Sequence, residues 1–154
     1  MNIVELKLAV PWIRIEQTAS DWESVAPQEL RRMYEQMLLI RRFEENLLEL
    51  SAEGLLHGPA HSSIGQEGAA VGCMSVLVSQ DKINGTHRMH HQFLAKAVNH
   101  ATPKNYDPAK TPIDTQMQDV VFRTLAEILG LTPGYGGGRG GSMHLKWDAC
   151  GVLG

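Results

Sequence analysis

The chain has 154 residues, enough for one domain with a real core. It carries 14 Lys and Arg against 17 Asp and Glu, a formal charge of −3, so no broad basic field would draw in nucleic acid or an anionic membrane. No apolar run approaches the ~20 residues of a membrane span, Met1–Pro11 lacks the pattern of a signal peptide, and the two lone cysteines, Cys73 and Cys150, argue for a reducing, cytoplasmic setting rather than a disulfide framework.

Residues 1–26 are weakly patterned and read as an arm. Trp12 and Trp22 are costly to leave in water, so the arm is expected to dock on a surface. Pro27 suits the first position of a helix, no Gly or Pro interrupts 28–53, and Gly54 supplies a stop. That helix would be ~39 Å long. Leu30, Met33, Tyr34, Met37, Leu38, Phe43, Leu47 and Leu50 form its apolar side. Such a length points to a larger body or a subunit interface. A loop over 55–65 holds His57 and His61, and a second helix is predicted over 66–78, with Ala69, Ala70, Cys73, Met74 and Leu77 facing inward. Residues 81–86 read as a short strand entering a turn at His87-Arg88. Helices follow over 89–98 and 117–129, the latter stopped by Gly130 and Pro133. Between them, 99–114 holds Pro103, Pro108 and Pro112 and reads as a loop or insertion. Helices with one visible strand are the expected opening of an α/β domain.

The run from Gly134 to His144, Gly-Tyr-Gly-Gly-Gly-Arg-Gly-Gly-Ser-Met-His, lets backbone approach a ligand closely and ends in polar side chains. It lacks the composition of a flexible linker. It lies close to Gly154, so the chain reads as the front part of a larger protein, cut near an active site, rather than as a small module with a glycine-rich tail.

Histidines dominate the candidate chemistry. His87 and His91 are four apart and could share a helix face and hold zinc, but further ligands and the Glu of the helical zinc-protease motif are lacking. His57, His91 and His100 read as packed or solvated. His61 precedes a helix start, where the dipole favours an anion. Arg88, at a helix entrance, suits a bidentate grip on phosphate, and a surface ion pair accounts for it equally well. Gln66 and Glu67 read as a cap and a dipole complement. Arg139 could bind an anion or pair with a neighbouring subunit. The glycine run has no Gly-Lys-Ser/Thr ending and follows a helix, which disfavours a direct nucleotide site.

Taken in order, five words carry a resemblance: Met37-Leu38-Leu39-Ile40-Arg41-Arg42-Phe43-Glu44-Glu45; His61 through Gly65-Gln66-Glu67; Thr86-His87-Arg88-Met89-His90; Leu125-Ala126-Glu127-Ile128-Leu129-Gly130; and Gly138-Arg139-Gly140-Gly141-Ser142-Met143-His144. Together they resemble the alpha subunit of thiamine-diphosphate-dependent 2-oxo-acid dehydrogenases, the decarboxylating components for pyruvate, branched-chain 2-oxo acids and acetoin. The resemblance covers about residues 30–154 and adds nothing for 1–29.

It implies an α/β thiamine-diphosphate-binding fold. Residues 27–154 would be an incomplete domain, its N-terminal helical portion with the start of the parallel sheet, behind the 1–26 arm. It also implies that Arg88 contacts the cofactor diphosphate and His87 lines that site, that His61 and His90 are the catalytic histidines, and that Ser142 and His144 help wall the substrate channel. The implied reaction is oxidative decarboxylation of a small 2-oxo acid, or cleavage of acetoin, with acyl transfer to lipoamide. The cofactor would make and break the bonds while the protein holds it and supplies proton donors. The implied partners are a beta subunit in an α2β2 assembly and a lipoyl acyltransferase. Magnesium would accompany thiamine diphosphate, with its ligands (a Gly-Asp-Gly word and a following Asn) expected beyond Gly154 and none within this stretch. On that basis this stretch alone is expected to be inactive. The alternative is a non-catalytic helical interaction module, or a truncated relic of such a subunit, supported by the long helix and the missing metal motif.

Overall fold

Pro27 pre-sets the backbone for a helix and lacks only an N–H that a first turn leaves unpaired. In a computed structural model that describes residues 15–154, it opens α2, Pro27–Ala52, after a short α1, Ala19–Glu23. There follow α3 (Glu67–Ser75), α4 (His90–Ala101), α5 (Thr115–Ile128) and a 3-10 turn, Asp148–Cys150. Residues 1–14, Trp12 among them, lie outside the described part. Within it, Trp22 is 56% exposed on this chain. α1 is closed on itself by Thr18, whose backbone N–H and Oγ1 both donate to the Asp21 carboxylate, and it buries no side chain.

α2 runs the full 26 residues and buries Gln36, Ile40, Phe43, Glu44 and Leu47, a stripe at helical spacing. Tyr34, Met37 and Leu38, expected on the packed side, are on the exposed side of that stripe. α4 is the centre of the fold. Phe93, Leu94, Ala95, Ala97 and Val98 are all buried, and the helix packs against α2, α3, α5 and the 3-10 turn. A short helix apolar around most of its circumference needs neighbours on every side. α5 starts on Asp114, whose carboxylate accepts the Gln116 N–H at 2.7 Å. α3 stops at Ser75, and it buries Ala70, Val71 and Met74, whereas Ala69 and Cys73, expected inward, are exposed.

The proline-containing segment over 102–114 is a docked loop. Tyr106 is buried, its hydroxyl donates to Glu35 at 2.7 Å, its carbonyl accepts from Gln28 Nε2 at 2.7 Å, and Asp107 pairs with Arg31 at 3.2 Å. These contacts pin the loop to the first half of α2.

The expected strand over 81–86, and with it the start of a parallel sheet, is not formed. No β-strand occurs among the described residues, and the fold described is helical. Ile83 makes one parallel bridge to Val152, with Ile83 N–H to Gly151 O and Leu153 N–H to Ile83 O, both 2.9 Å. Val152 also bridges Trp147 in the antiparallel sense. A buried parallel strand needs partners along its length, and here only this single bridge supplies one.

Gly151 makes that bridge possible. Its φ is +82°, and a Cβ there would collide with the carbonyls of Asp81 and Ser79. Gly151→Ala is expected to destabilise the chain by ~1–3 kcal/mol in urea unfolding. Gly72→Ala, inside α3 with nothing near its Cβ position, should raise stability by ~0.5–1 kcal/mol.

Candidate functional site

The site is built on a buried charge. Glu44, on the packed stripe of α2, is wholly buried, and its carboxylate accepts from Ser63 N–H at 3.1 Å, Ser63 Oγ at 2.7 Å and His90 Nδ1 at 2.9 Å. Burial pushes its carboxyl up, but the hydrogen bonds from His90 and Ser63 outweigh that and hold it below the usual carboxylate range. His90 Nε2 lies 3.0 Å from both the Oγ and the carbonyl oxygen of Ser142.

Acid, imidazole and serine thus stand in the order of a nucleophilic triad. Their surroundings suit a tether instead. His90 is wholly buried, and Nε2 faces a carbonyl oxygen that can only accept, which favours an N–H there rather than a base. His90, expected among the catalytic residues, has no exposed surface in this structure and ties α2, α4 and the Ser-Met-His segment together.

One turn earlier on α2, Arg41 Nε donates to Glu67 Oε1 at 2.7 Å, and both Glu67 oxygens lie within 3.1 Å of the Gly65 N–H. The Arg41 hydrogen bond is the main cause that holds the Glu67 carboxyl down to about 2, against its burial. Glu67 is therefore a buried link between α3, its own leading turn and α2, not merely a dipole complement.

On the open side, His87 and Arg88 are exposed and line a polar cavity of about 450 Å³ with Gln66, Asn84, Thr86 and His91. The His61 ring meets His87 edge-on, centroids 4.4 Å apart. His61, His87 and Arg88 are thus brought together from separate loops. The Arg88 guanidinium has no carboxylate partner among the described residues. His91, read from sequence as packed or solvated, lines this same cavity while only 5% exposed, and its Nδ1 is buried without a hydrogen-bond partner. α4 begins at His90, so His87 and His91 do not share a helix face. No group of three His, Cys, Asp or Glu among the described residues could hold a metal ion.

Compared with curated proteins, the chain is 37% identical over 122 residues to the alpha subunit of acetoin:2,6-dichlorophenolindophenol oxidoreductase from Bacillus subtilis, covering 79% of this chain and 30% of that protein. It is 34% identical over 119 residues to the pyruvate dehydrogenase E1 component subunit alpha of Zymomonas mobilis, covering 77% and 28%. Its homologues are E1 alpha subunits. The chloroplastic pyruvate dehydrogenase E1 subunit alpha-3 of Oryza sativa matches at 28% over 145 residues, covering 94% of this chain and 29% of its own. The chain spans under a third of the length of these relatives. No family model and no solved structure matches it.

The glycine run of this E1 alpha homologue folds back on the end of α5. Glu127, almost fully buried, accepts the N–H groups of Gly136 at 2.6 Å, Gly138 at 3.0 Å and Gly140 at 2.6 Å. An acidic residue in a last helical turn opposes the helix dipole, and that mismatch was the sequence signal for it. Ser142 and His144, expected on one wall, diverge. Ser142 bonds His90, whereas His144 is exposed and lines a separate cavity of about 520 Å³ with Arg139, Tyr135, Lys146 and Trp147. A further cavity of about 940 Å³ is an apolar groove between α2 and α5 lined by Leu38, Leu39, Phe43, Val121, Phe122 and Leu125.

Because the folded-state value of Glu67 is depressed from 4.5 to about 2, its contribution to stability is present above the unfolded value. It is lost as pH falls from there towards the folded one. Arg41→Met removes the largest cause. Urea midpoints at about pH 6 and about pH 3 should differ less for this variant than for the parent chain.

Proposed function

We propose that this chain is part of the alpha subunit of a thiamine-diphosphate-dependent dehydrogenase for a small 2-oxo acid or acetoin. The complete enzyme decarboxylates its substrate oxidatively and passes the acyl group to lipoamide, paired with a beta subunit in an α2β2 assembly and serving a lipoyl acyltransferase. The observation that carries the reading is the unpaired Arg88, beside His87, on a polar cavity at the start of α4 in a chain homologous to E1 alpha subunits.

The residues fit a diphosphate. Arg88 offers a planar fork of donors, His87 a second donor, and the first turn of α4 lines the same cavity through His91 and Gln92. No carboxylate lines the cavity to repel an anion, and this reading expects the magnesium ligands beyond Gly154. When bound, thiamine diphosphate supplies the carbon nucleophile for the keto group. His61, braced against the His87 ring, serves as a proton donor to the substrate oxygen. His90 positions rather than reacts, holding Ser142 against α4. The free thiols of Cys73 and Cys150 support a cytoplasmic setting.

The second reading, a non-catalytic interaction module, draws on the apolar groove between α2 and α5, where Phe122 is 57% exposed. Arg88→Ala in the full assembly separates the two. The enzyme reading predicts that the thiamine diphosphate concentration for half-maximal activity rises by roughly 10- to 100-fold, the loss of a charge-assisted hydrogen bond. An unchanged cofactor response with intact assembly supports the module.

A further inference from the structure

His91 sits beside Arg88 in the cavity, yet the diphosphate reading leaves it without a task. The residue is as buried as a core side chain, and its Nδ1 has no hydrogen-bond partner among the described residues. A buried polar atom left unpaired is costly and calls for a physical reason. Water does not reach Nδ1, so the ring responds to charge placed in the cavity with little screening.

The groups that act on His91 come from each neighbouring element. Glu44 on α2 and Glu67 on α3 favour its charged form, as does the backbone of Arg88, while His90 disfavours it. Burial is the largest influence and pushes the imidazole below its usual value, so the ring is mainly neutral at neutral pH. Both carboxylates are already engaged, Glu44 by His90 and Ser63, and Glu67 by Arg41 and Gly65. The balance is therefore set by what enters the cavity.

We propose that His91 is a proton acceptor linked to anion binding: when a diphosphate group enters the cavity beside Arg88 and His87, the His91 imidazole takes a proton from solvent and becomes a third positive charge facing it. This rests on the diphosphate reading and adds to it a pH dependence of ligand capture. Binding strengthens about tenfold per unit as pH falls between the titration midpoints of His91 in the bound and free chain. No bond other than the new N–H is made, and the proton comes from water or buffer.

The test follows the ring resonances of each histidine by proton–nitrogen NMR across about pH 4.5 to 8.5, with and without excess inorganic pyrophosphate and without magnesium. His91 is assigned from the His91→Gln variant. The expected result is a rise in the His91 midpoint by about one unit or more on adding pyrophosphate, with His100, which stacks on Trp147 outside the cavity, unmoved. If His87 and His61 respond while His91 does not, the anion binds and the proton linkage is wrong. If no cavity histidine responds, the diphosphate reading falls with it. His91→Gln, where it folds, should bind pyrophosphate with a shallower strengthening towards low pH than the parent chain, whose remaining slope comes from His87 and the ligand itself, and a slope equal to the parent's overturns the proposal.

Discussion

A single ionised side chain with no access to water organises this molecule. Glu44 cannot remain charged in the core without donors around it, so Ser63 must present both its amide and its hydroxyl, and His90 must turn Nδ1 towards α2. Those demands fix how closely the loop before α3 approaches α4. They also leave His90 Nε2 facing the other way, where it holds Ser142. Four stretches far apart in sequence are thus registered by one carboxylate. The exposed cavity is backed by a buried frame whose polar atoms are matched with one another.

The site separates into a closed half and an open half. The closed half, Glu44, His90, Ser63 and Ser142, has its polar atoms matched with one another. The open half has His87 and Arg88 exposed, with the half-buried His61 ring against His87, and no carboxylate lines its cavity. Under the proposed function, the first half sets distances and the second meets the ligand. His91 belongs to both, packed like the first and facing the cavity of the second. His144 belongs to neither, since it lies on the far side of the glycine run with Arg139 and Lys146.

Much of this was legible in sequence, for identifiable reasons. Pro27, Gly54, the uninterrupted run between them and the apolar spacing of α4 and α5 mark helices that the fold keeps. In α3, Ala70 and Met74 face inward as read, but Ala69 and Cys73 were read inward too, because Ala69, Ala70, Val71, Gly72 and Cys73 are small or apolar on all sides and no stripe singles out the packed face. The strand at 81–86 failed because pairing depends on partners that no local pattern reports. His61, His87 and Arg88 were singled out through ordered words that resemble a family, and the structure sets the His61 ring edge-on against His87. Glu67, His91 and Glu127 were undervalued for one shared reason. Their surroundings are backbone amides, a guanidinium one helix away, or a polar cavity, and of the three only Glu127, an acid in a last helical turn, carries a local sign of it.

Glu127 has a mechanical consequence. Glycines usually decouple the segments they join, since each adds backbone freedom. Here three of their amides are gathered on one side chain of α5, which closes the run into a ring with the helix end. The helix and the glycine run then move as one piece. A load applied at the Phe122 face of α5, on the apolar groove, is transmitted through that carboxylate to Ser142 and on to His90, instead of being absorbed by the glycine run. The segment that looks most like a hinge in the sequence works as a rigid strut.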